Sequence, residues 1–266
     1  MNVLSEIIAK KRERLARAKE VVGVGELGEN AFAKRRDAMP HALRRALAVD
    51  GVNIIAEFKR RSPSKGVIRE GADLQSIVQS YERGGAAALS VLTEEDYFDG
   101  SLDDLREAKR SAALPVLRKD FVFDEYQVFE SAAAGADAVL LIVAALDDRQ
   151  LERLRRLAED ELRIDALVEV HDEAEMERAA RCGATLVGVN NRDLRTFEVS
   201  LETSVKLAPL ASRETLLVSE SGLNARADLL RLKEHGFKGF LVGESLMRAA
   251  DPERALRELR SGLQAL

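Results

Sequence analysis

From residue 51 onward, short β-branched and leucine-rich runs alternate with segments in which apolar residues recur at helical spacing. This alternation is typical of strand–helix units that build a parallel sheet. Eight such runs predict strands at 53–59, 87–92, 115–119, 138–143, 166–170, 186–190, 216–219 and 239–242. The intervening segments predict helices, for example at 74–83, 124–134, 149–160, 174–181 and 225–234.

A second repeat concerns the turns that precede the even-numbered strands. Each contains glycine, at Gly84, Gly135, Gly183 and Gly236, about fifty residues apart. Glycine suits the end of a helix because it takes left-handed backbone angles without a Cβ clash. An open doubly wound sheet also ends its helices on glycine. However, four repeats of two strand–helix units make eight, which favours a closed (β/α)8 TIM barrel, an α/β fold.

Residues 1–50 fall outside this rhythm. They predict one helix from Ser5 to Glu20 and a shorter one over 41–49, joined by a link that contains glycine. We expect an N-terminal helical extension over 1–50 packed on a catalytic barrel over 51–266, within a single domain overall. Residues 23–28 match the dinucleotide fingerprint G-x-G-x-x-G, but they follow a charged helix where a strand is required, so no nucleotide site is expected there.

Composition narrows the class of protein. The 266 residues are 46% hydrophobic and 33% charged, which suits one large barrel core. No apolar run approaches the roughly 18–20 residues that cross a bilayer, and the N-terminus lacks a signal-peptide pattern. We therefore expect a cytoplasmic protein that does not bind membranes. The net charge of −5 argues against nucleic acid as a partner, and the single cysteine, Cys182, cannot form an internal disulfide.

Four of the predicted strands end in charge, with Glu57 and Lys59 after the first, then Lys119, Glu169 and Glu220. A charge brought out of water without a partner costs several kcal/mol, so a repeated placement of this kind needs a reason. Barrel enzymes hold their chemistry at the carboxyl ends of the strands. The pattern therefore predicts one shared polar pocket at that end of the barrel.

Two of these strand ends permit more than one interpretation. Period-two alternation puts Glu57 and Lys59 on one face of the first strand, with Phe58 towards the helices. The pair could exchange protons with a substrate or form an exposed ion pair. For Lys119, desolvation would favour the neutral amine and nearby carboxylates the charged one. Alternatively, the stem of Lys119 covers the core while its head reaches water.

The loops after the seventh and eighth strands carry a different signal. Residues 219–222 and 243–245 both place glycine and serine between a strand and a helix. Exposed backbone N–H groups and the positive end of a helix dipole attract phosphate at such positions, and barrels often hold phosphate at these two adjacent strands. The loops therefore favour a phosphorylated substrate.

Six segments together resemble the indole-3-glycerol phosphate synthase family. They occur in order on different strands, at 55–64, 117–121, 167–171, 189–194, 219–222 and 243–248. The resemblance covers nearly the whole chain, including the N-terminal extension. It implies ring closure, decarboxylation and dehydration of 1-(2-carboxyphenylamino)-1-deoxyribulose 5-phosphate to indole-3-glycerol phosphate, a step of tryptophan biosynthesis.

The resemblance also implies catalytic roles. Lys119 would be the general acid that polarises the ribulose carbonyl during ring closure. Glu169 and Glu57 would serve as base and acid in the dehydration, in an order that the sequence leaves open. Lys59 would lie near the substrate carboxylate or phosphate and is also a candidate acid in that step. His171 follows the fifth strand and is expected on the loop surface.

The remaining positions implied by the resemblance are substrate contacts. They are Ser62, Phe121, Asn190, Arg192, Leu194, Glu220, Ser221, Gly222, Gly243 and Glu244. Of these, Ser221, Gly222, Gly243 and the amide of Glu244 would hold phosphate, with the Glu244 side chain pointing away from it. Phe121 would line the aromatic ring of the substrate, although a place in the ordinary core is equally open. No metal or organic cofactor is expected, and the chain would be a monomer or a weak homodimer.

Two alternatives remain open from the sequence. Another phosphate-binding barrel enzyme, such as phosphoribosylanthranilate isomerase, would share the late-strand loops. It would be expected to present a cysteine early in the barrel and an aspartate as the acid–base pair, whereas the first strand here ends in Glu57-Phe58-Lys59. A non-catalytic barrel that binds a phosphorylated metabolite would also fit the loops, but it would leave Lys119, Glu57 and Glu169 without a role.

Overall fold

A computed structural model describes residues 3–193 and 196–261 of the chain. Eight parallel strands close into a barrel, in which β1 pairs with β8 as well as with β2. In chain order they are β1 Asn53–Phe58, β2 Ala88–Leu92, β3 Val116–Lys119, β4 Ala138–Ile142, β5 Asp165–Val170, β6 Leu186–Asn190, β7 Leu216–Glu220 and β8 Phe237–Val242. The TIM-barrel prediction is confirmed, and each predicted strand lies within two residues of the observed bounds.

Thirteen helices are described. They are α1 Val3–Val21, α2 Val24–Arg35, α3 Ala42–Leu47, α4 Leu74–Gly84, α5 Glu95–Phe98, α6 Leu102–Ser111, α7 Glu125–Ala134, α8 Asp148–Arg156, α9 Glu173–Arg181, α10 Glu202–Leu207, α11 Arg226–Glu234, α12 Glu244–Arg248 and α13 Pro252–Arg260. Short helical turns at Val143–Ala145, Leu157–Glu161 and Ala208–Leu210 directly follow β4, α8 and α10, respectively. The segments Arg61–Ser62 and Gly66–Val67 pair as the two strands of a small antiparallel hairpin. None of the helices in these described ranges is long and apolar enough to cross a membrane.

Alternation along the strands divides the core into two layers. In β1, Ile55 belongs to the cluster inside the barrel, together with Leu117 and Leu167. Ile54 and Phe58 belong to the larger cluster between the strands and the helices, as the alternation predicts for Phe58. Glu57 shares the inner face with Ile55 and thus points into the barrel at its carboxyl end.

The predicted link in the N-terminal segment is wrong, because most of it forms the helix α2. Gly23 is extended and precedes this helix, whereas Gly28 lies inside it and faces a ring of α7. A Cβ on Gly28 would lie 3.7 Å from the Phe129 ring, and Phe32 packs against the same ring. Packing on α7 therefore outweighs the poor helix propensity of glycine. The segment with the dinucleotide pattern is helical from Val24 onward, and among the described residues the helix α1 precedes it where the pattern requires a strand.

The other N-terminal helices close the two ends of the barrel. Leu43 and Leu47 of α3 are fully buried in the inner cluster, where Leu47 lies against Gly239 at the start of β8. At the opposite end, Leu4 and Ile7 of α1 face the mouth of the barrel. One end is thus plugged by apolar side chains, and the other encloses a cavity.

Candidate active site

A cavity of about 560 Å³ occupies the carboxyl end of the barrel. Every predicted site residue within the described ranges lines it, namely Glu57, Lys59, Ser62, Lys119, Phe121, Glu169, Asn190, Arg192, Glu220, Ser221, Gly222, Gly243 and Glu244. Leu194, the remaining predicted residue, lies outside the described residues. Side chains from β1, β3, β5, β6 and β7 thus meet in one space, because parallel strands of a barrel end on the same side.

Lys119 is held between two buried carboxylates. Its Nζ lies 2.6 Å from Glu169 Oε2 and 2.8 Å from Glu220 Oε2. Burial alone would lower the pKa of Lys119, but Glu169, Glu220 and Glu57 outweigh it and raise the pKa above its usual range. Of the two charge states that the sequence leaves open, the geometry favours the ammonium. Lys119 is therefore a proton donor of which only 13% of the side chain is exposed.

The two carboxylates that flank Lys119 differ in their affinity for protons. Burial by itself would raise the pKa of Glu169, yet the positive charge of Lys119 and the contact with His171 hold that pKa well below its usual range. Burial is also the largest effect on Glu220, where the second carboxylate opposes Lys119, and the pKa rises to about 7. One carboxylate is thus ionised, and the other can carry a proton near neutral pH.

A second acid–base pair lies on β1 and the residue that follows it. Lys59 Nζ donates to Glu57 Oε1 at 2.5 Å, and Ser90 of β2 donates to Glu57 Oε2 at 3.4 Å. Glu57 is buried and Lys59 is mostly so, which argues against the exposed ion pair left open by the sequence. Ser90 was missed, because nothing in an apolar strand shows which neighbour its hydroxyl faces.

Two glycines leave room for these carboxylates. A Cβ on Gly243 would lie 2.6 Å from Glu57 Oε1, and one on Gly188 would overlap Glu220 Oε1. Real Cβ atoms do not approach oxygen so closely, so a larger residue at either position would displace the carboxylate. The sequence singled out Gly243 but missed Gly188, which stands within β6 without any turn pattern around it.

The predicted phosphate loops have unusual backbone geometry. Ser221 and Gly222 both have positive φ, at 66° and 79°, so two successive residues turn in the left-handed region. Gly243 directly precedes α12, whose first residue is Glu244. The Glu244 side chain accepts from Arg248 at 3.1 Å, one turn along the same helix. Its carboxylate is thus engaged along α12, and the role of its backbone N–H toward phosphate stays a prediction.

Asn191 connects the loops after β6 and β7. Its Nδ2 donates to Ser219 Oγ at 2.9 Å and to the carbonyl of Ser221 at 3.1 Å, while Oδ1 accepts from Ser204. These bonds fix the backbone just before Gly222. The preceding residue, Asn190, faces the cavity instead and donates to Glu169 Oε1 at 3.2 Å. Sequence analysis identified Asn190 and missed Asn191, although the two are adjacent.

Apolar side chains line the part of the cavity near β3. Phe121 packs against Phe98 of α5 with ring centroids 6.3 Å apart, and Leu4 and Ile7 of α1 contribute to the same cavity. Phe121 therefore lies at the cavity and not in the ordinary core. Such a lining next to a few charged groups suits a ligand with an aromatic part and a polar part.

His171 does not lie on the loop surface, and that prediction is wrong. Only 13% of its side chain is exposed, because the ring sits between Glu169 of β5 and Glu175 of α9. The i,i+4 spacing of His171 and Glu175 spans the turn from strand to helix. This spacing could have signalled the contact, since a helix that begins at Glu173 brings Glu175 back towards the strand end.

The sequence of this chain was compared with protein families and with curated proteins, and both comparisons give the same family. The family model described as "Indole-3-glycerol phosphate synthase" matches residues 4–259. Curated relatives of that name include one from Polaromonas sp., 48% identical over 260 residues, which covers 97% of this chain and 98% of the relative. Another, from Carboxydothermus hydrogenoformans, is 44% identical over 261 residues, covering 96% of this chain and 98% of the relative.

Solved structures agree in fold at much lower sequence identity. The chain matches a thiamine phosphate pyrophosphorylase from Pyrococcus furiosus with a TM-score of 0.57 and 18% identity, over 79% of this chain and 94% of that one. It matches an N-acetylmannosamine-6-phosphate 2-epimerase from Clostridium perfringens with a TM-score of 0.56 and 15% identity, over 75% and 89%. These matches support the barrel alone. The sequence relatives and the family match show that the chain belongs to the indole-3-glycerol phosphate synthase family.

Proposed function

We propose that this chain converts 1-(2-carboxyphenylamino)-1-deoxyribulose 5-phosphate to indole-3-glycerol phosphate, carbon dioxide and water in the cavity at the carboxyl end of the barrel. Its family is that of a carboxy-lyase of tryptophan biosynthesis. The observation that carries the proposal is the ammonium of Lys119, held between Glu169 and Glu220 where it faces the cavity. This arrangement supplies a proton donor and two acceptors within one substrate length.

In the first step, the aromatic carbon that bears the carboxylate attacks the ribulose carbonyl, and Lys119 gives a proton to the carbonyl oxygen. A carbon–carbon bond forms, and the carbonyl becomes a hydroxyl. Electrostatic stabilisation by a preorganised cation in a dry site is often the largest contribution to such a reaction. Carbon dioxide then leaves from the same aromatic carbon, and its bonding electron pair restores the aromaticity of the benzene ring.

Dehydration needs an acid that protonates the new hydroxyl and a base that removes a proton from the neighbouring carbon. Glu169 is a suitable base, because Lys119 and His171 keep it ionised. Glu57 and Lys59 form the other pair, and either can deliver the proton that turns the hydroxyl into water. Proton transfer from a positioned group contributes about 10²–10⁴-fold to a rate.

The substrate would lie across the cavity with its phosphate at the late strands. Backbone N–H groups around Ser221, Gly222, Gly243 and Glu244 would bind the phosphate, and the apolar wall with Phe121 would receive the aromatic ring. Ser62, Asn190, Arg192 and Leu194 stay predictions as substrate contacts. The proposed chemistry needs only an ammonium and carboxylates to move protons, so we assign no metal or organic cofactor.

Three further expectations stand as proposals beside the reaction. A cytoplasmic location fits a pathway that makes an amino acid. A monomer or weak homodimer would suffice, because residues of one chain line the cavity described above. The division into an extension over 1–50 and a barrel over 51–266 also remains a prediction.

Purified protein mixed with the carboxyphenylamino substrate tests the proposal through the fluorescence of the indole product. We expect turnover that saturates with substrate. No signal at micromolar enzyme would defeat the proposed reaction. If the substrate still bound without turnover, the non-catalytic barrel would become the better account.

A further inference from the structure

His171 is flanked by two carboxylates from different elements. Its Nδ1 lies 3.0 Å from Glu175 Oε2, and the same oxygen accepts the backbone N–H of His171 at 2.8 Å. Its Nε2 lies 3.4 Å from Glu169 Oε1, which is an ionic contact and longer than a well-formed hydrogen bond. Glu175 thus fixes the ring, and the ring faces Glu169.

His171 contacts Glu169 but is not among the residues that line the main cavity. It lines a separate, shallower hollow with Asp172, Ser200 and Lys206, whereas Glu169 lines the main cavity. The substrate would therefore reach Glu169 without touching His171. An effect of His171 on the reaction would have to pass through Glu169.

The surroundings of His171 are predominantly acidic. The charged groups that face it or share its hollow are Glu169 from β5, Asp172 from the following turn, Glu173 and Glu175 from α9, and Glu202 and Lys206 from α10. Burial alone would lower the pKa of His171, but the contacts with Glu169 and Glu175 outweigh it and raise the pKa to about 10. The ring is then an imidazolium at neutral pH, with both ring nitrogens as donors.

Each oxygen of Glu169 also has a cavity-side partner. Oε2 accepts from Lys119 at 2.6 Å, and Oε1 accepts from Asn190 at 3.2 Å. When Lys119 gives its proton to the substrate, the positive charge that holds Glu169 on this side is lost. A second, permanent cation behind the carboxylate would keep Glu169 ionised at the moment when it must act as a base.

We propose that His171 is a positioning residue that keeps Glu169 ionised and oriented for the dehydration step, and that Glu175 holds His171 in its protonated form. This inference rests on the proposed function, because it assumes that Glu169 is the base. It assigns no contact with the substrate to His171 or to Glu175.

The protonation of His171 can be observed directly, because the chain contains only three histidines. Labelling with 13Cε1-histidine gives three resonances, and the one that disappears in His171→Gln belongs to His171. We expect it to remain in the imidazolium form from pH 6 to pH 8.5. In Glu175→Gln, where the amide oxygen can still accept the backbone N–H, we expect its pKa to fall by about one unit or more.

Kinetics then separate positioning from a purely structural role. We expect His171→Gln to lower kcat about tenfold, the scale seen for groups that orient a functional residue, with KM changed less than twofold. In Glu175→Gln, kcat should fall as pH rises through the lowered His171 pKa, so the basic limb of the profile moves to lower pH. His235→Gln, an exposed histidine at the end of α11, is the control and should match the parent protein.

The inference is overturned if kcat of His171→Gln stays within twofold of the parent protein. It also fails if the His171 pKa falls in Glu175→Gln while the basic limb of kcat does not move. The variant Glu169→Gln distinguishes a failure of the proposed role of Glu169 from a failure of the positioning role of His171. If that variant keeps full activity, the proposed role of Glu169 fails first, whereas an inactive Glu169→Gln beside a fully active His171→Gln removes only the positioning role.

Discussion

Lys11 Nζ lies 2.7 Å from Asp120 Oδ2, so the first helix is ion-paired with the residue that directly follows Lys119. Both side chains are almost fully buried. Asp120 Oδ2 also accepts from Thr93 at 2.5 Å and from Arg118 at 2.9 Å. The position of α1, which supplies Leu4 and Ile7 to the cavity, is therefore tied to the end of β3 that presents the catalytic candidate.

We expect Lys11→Met to destabilise the protein and to weaken substrate binding. Removing one partner of a buried ion pair commonly costs about 3–5 kcal/mol, and here Arg118 remains to compensate Asp120, so a loss of roughly 2 kcal/mol is expected. KM should rise because α1 loses its anchor. Denaturant unfolding and steady-state kinetics measure the two effects. Lys10→Met changes an exposed neighbour that lies over the ring of Tyr97 and should alter the unfolding free energy by less than about 0.5 kcal/mol.

The ion pair between Lys11 and Asp120 also predicts that the stability of the protein depends on pH. Burial alone would raise the pKa of Asp120, but Lys11 and Arg118 lower it from 3.8 to about 2. A lowered carboxyl pKa stabilises the folded state above the pKa of the unfolded chain, and this contribution is lost as pH falls through the folded pKa. The parent protein should therefore lose roughly 2 kcal/mol from this group between about pH 4 and pH 2. Thermal unfolding across that pH range measures this loss, which should be absent from Asp120→Asn because the asparagine does not titrate.

We expect Lys119→Ala to lower kcat by about 10² or more, because the variant removes the proposed general acid. It also leaves Glu169 and Glu220 without the cation that lies between them. Stopped-time assays at saturating substrate would measure the loss. Lys238→Ala removes an exposed lysine of β8 and should keep the parent rate. Turnover of Lys119→Ala close to that of the parent protein would mean that another group is the acid.

Gly243→Ala and Gly188→Ala should impair catalysis through the carboxylates that they displace. The new methyl groups would meet Glu57 Oε1 and Glu220 Oε1, respectively, well inside contact distance. We expect kcat to fall about tenfold or more in each, because Glu57 is a proposed proton donor, Glu220 holds the ammonium of Lys119, and small displacements of such groups are costly. Gly25→Ala in α2 meets nothing within 4 Å and should leave kcat unchanged while stabilising the helix by about 0.5–1 kcal/mol. Equal activity in all three variants would contradict the proposed spatial requirement.

Much of the fold could be predicted from local patterns, with the helix α2 as an exception. Strand boundaries were predictable because a parallel barrel strand is apolar along its length and ends where charge appears, as at Lys119 and Glu220. The helix ends near Gly135 and Gly183 were predictable because both residues take the left-handed conformation there. The helix α2 was not predictable, since Gly25 and Gly28 lie inside it and disfavour it, whereas packing of the helix against Phe129 of α7 compensates.

In the site, too, some residues could be predicted from local sequence, whereas others depend on tertiary contacts. Strand-end charges such as Glu57 and Glu169 indicated a pocket, because the topology alone brings strand ends together. By contrast, Gly188 and Asn191 act on side chains and loops of the next strand, β7, and their partners depend on the register between β6 and β7. His171 appeared exposed because its burial requires Glu175 to reach back from α9. Residues that touch the cavity were thus easier to identify than residues that hold them.

Glu220→Gln should stabilise the protein at neutral and alkaline pH while having little effect at low pH. Burial is the main cause that raises the pKa of Glu220 from 4.5 to about 7. The folded chain therefore binds this proton more tightly than the unfolded chain, and the parent protein loses stability as pH rises from about 4.5 to about 7. The glutamine does not titrate, so the variant should be more stable at pH 8 by roughly 1–3 kcal/mol and nearly equal to the parent at pH 4. Midpoints of thermal unfolding at the two pH values measure this difference, with the exposed Glu214→Gln as a control that should change neither. A shift of the same size at both pH values would instead indicate better packing of the amide and would remove the titration of Glu220 as its cause.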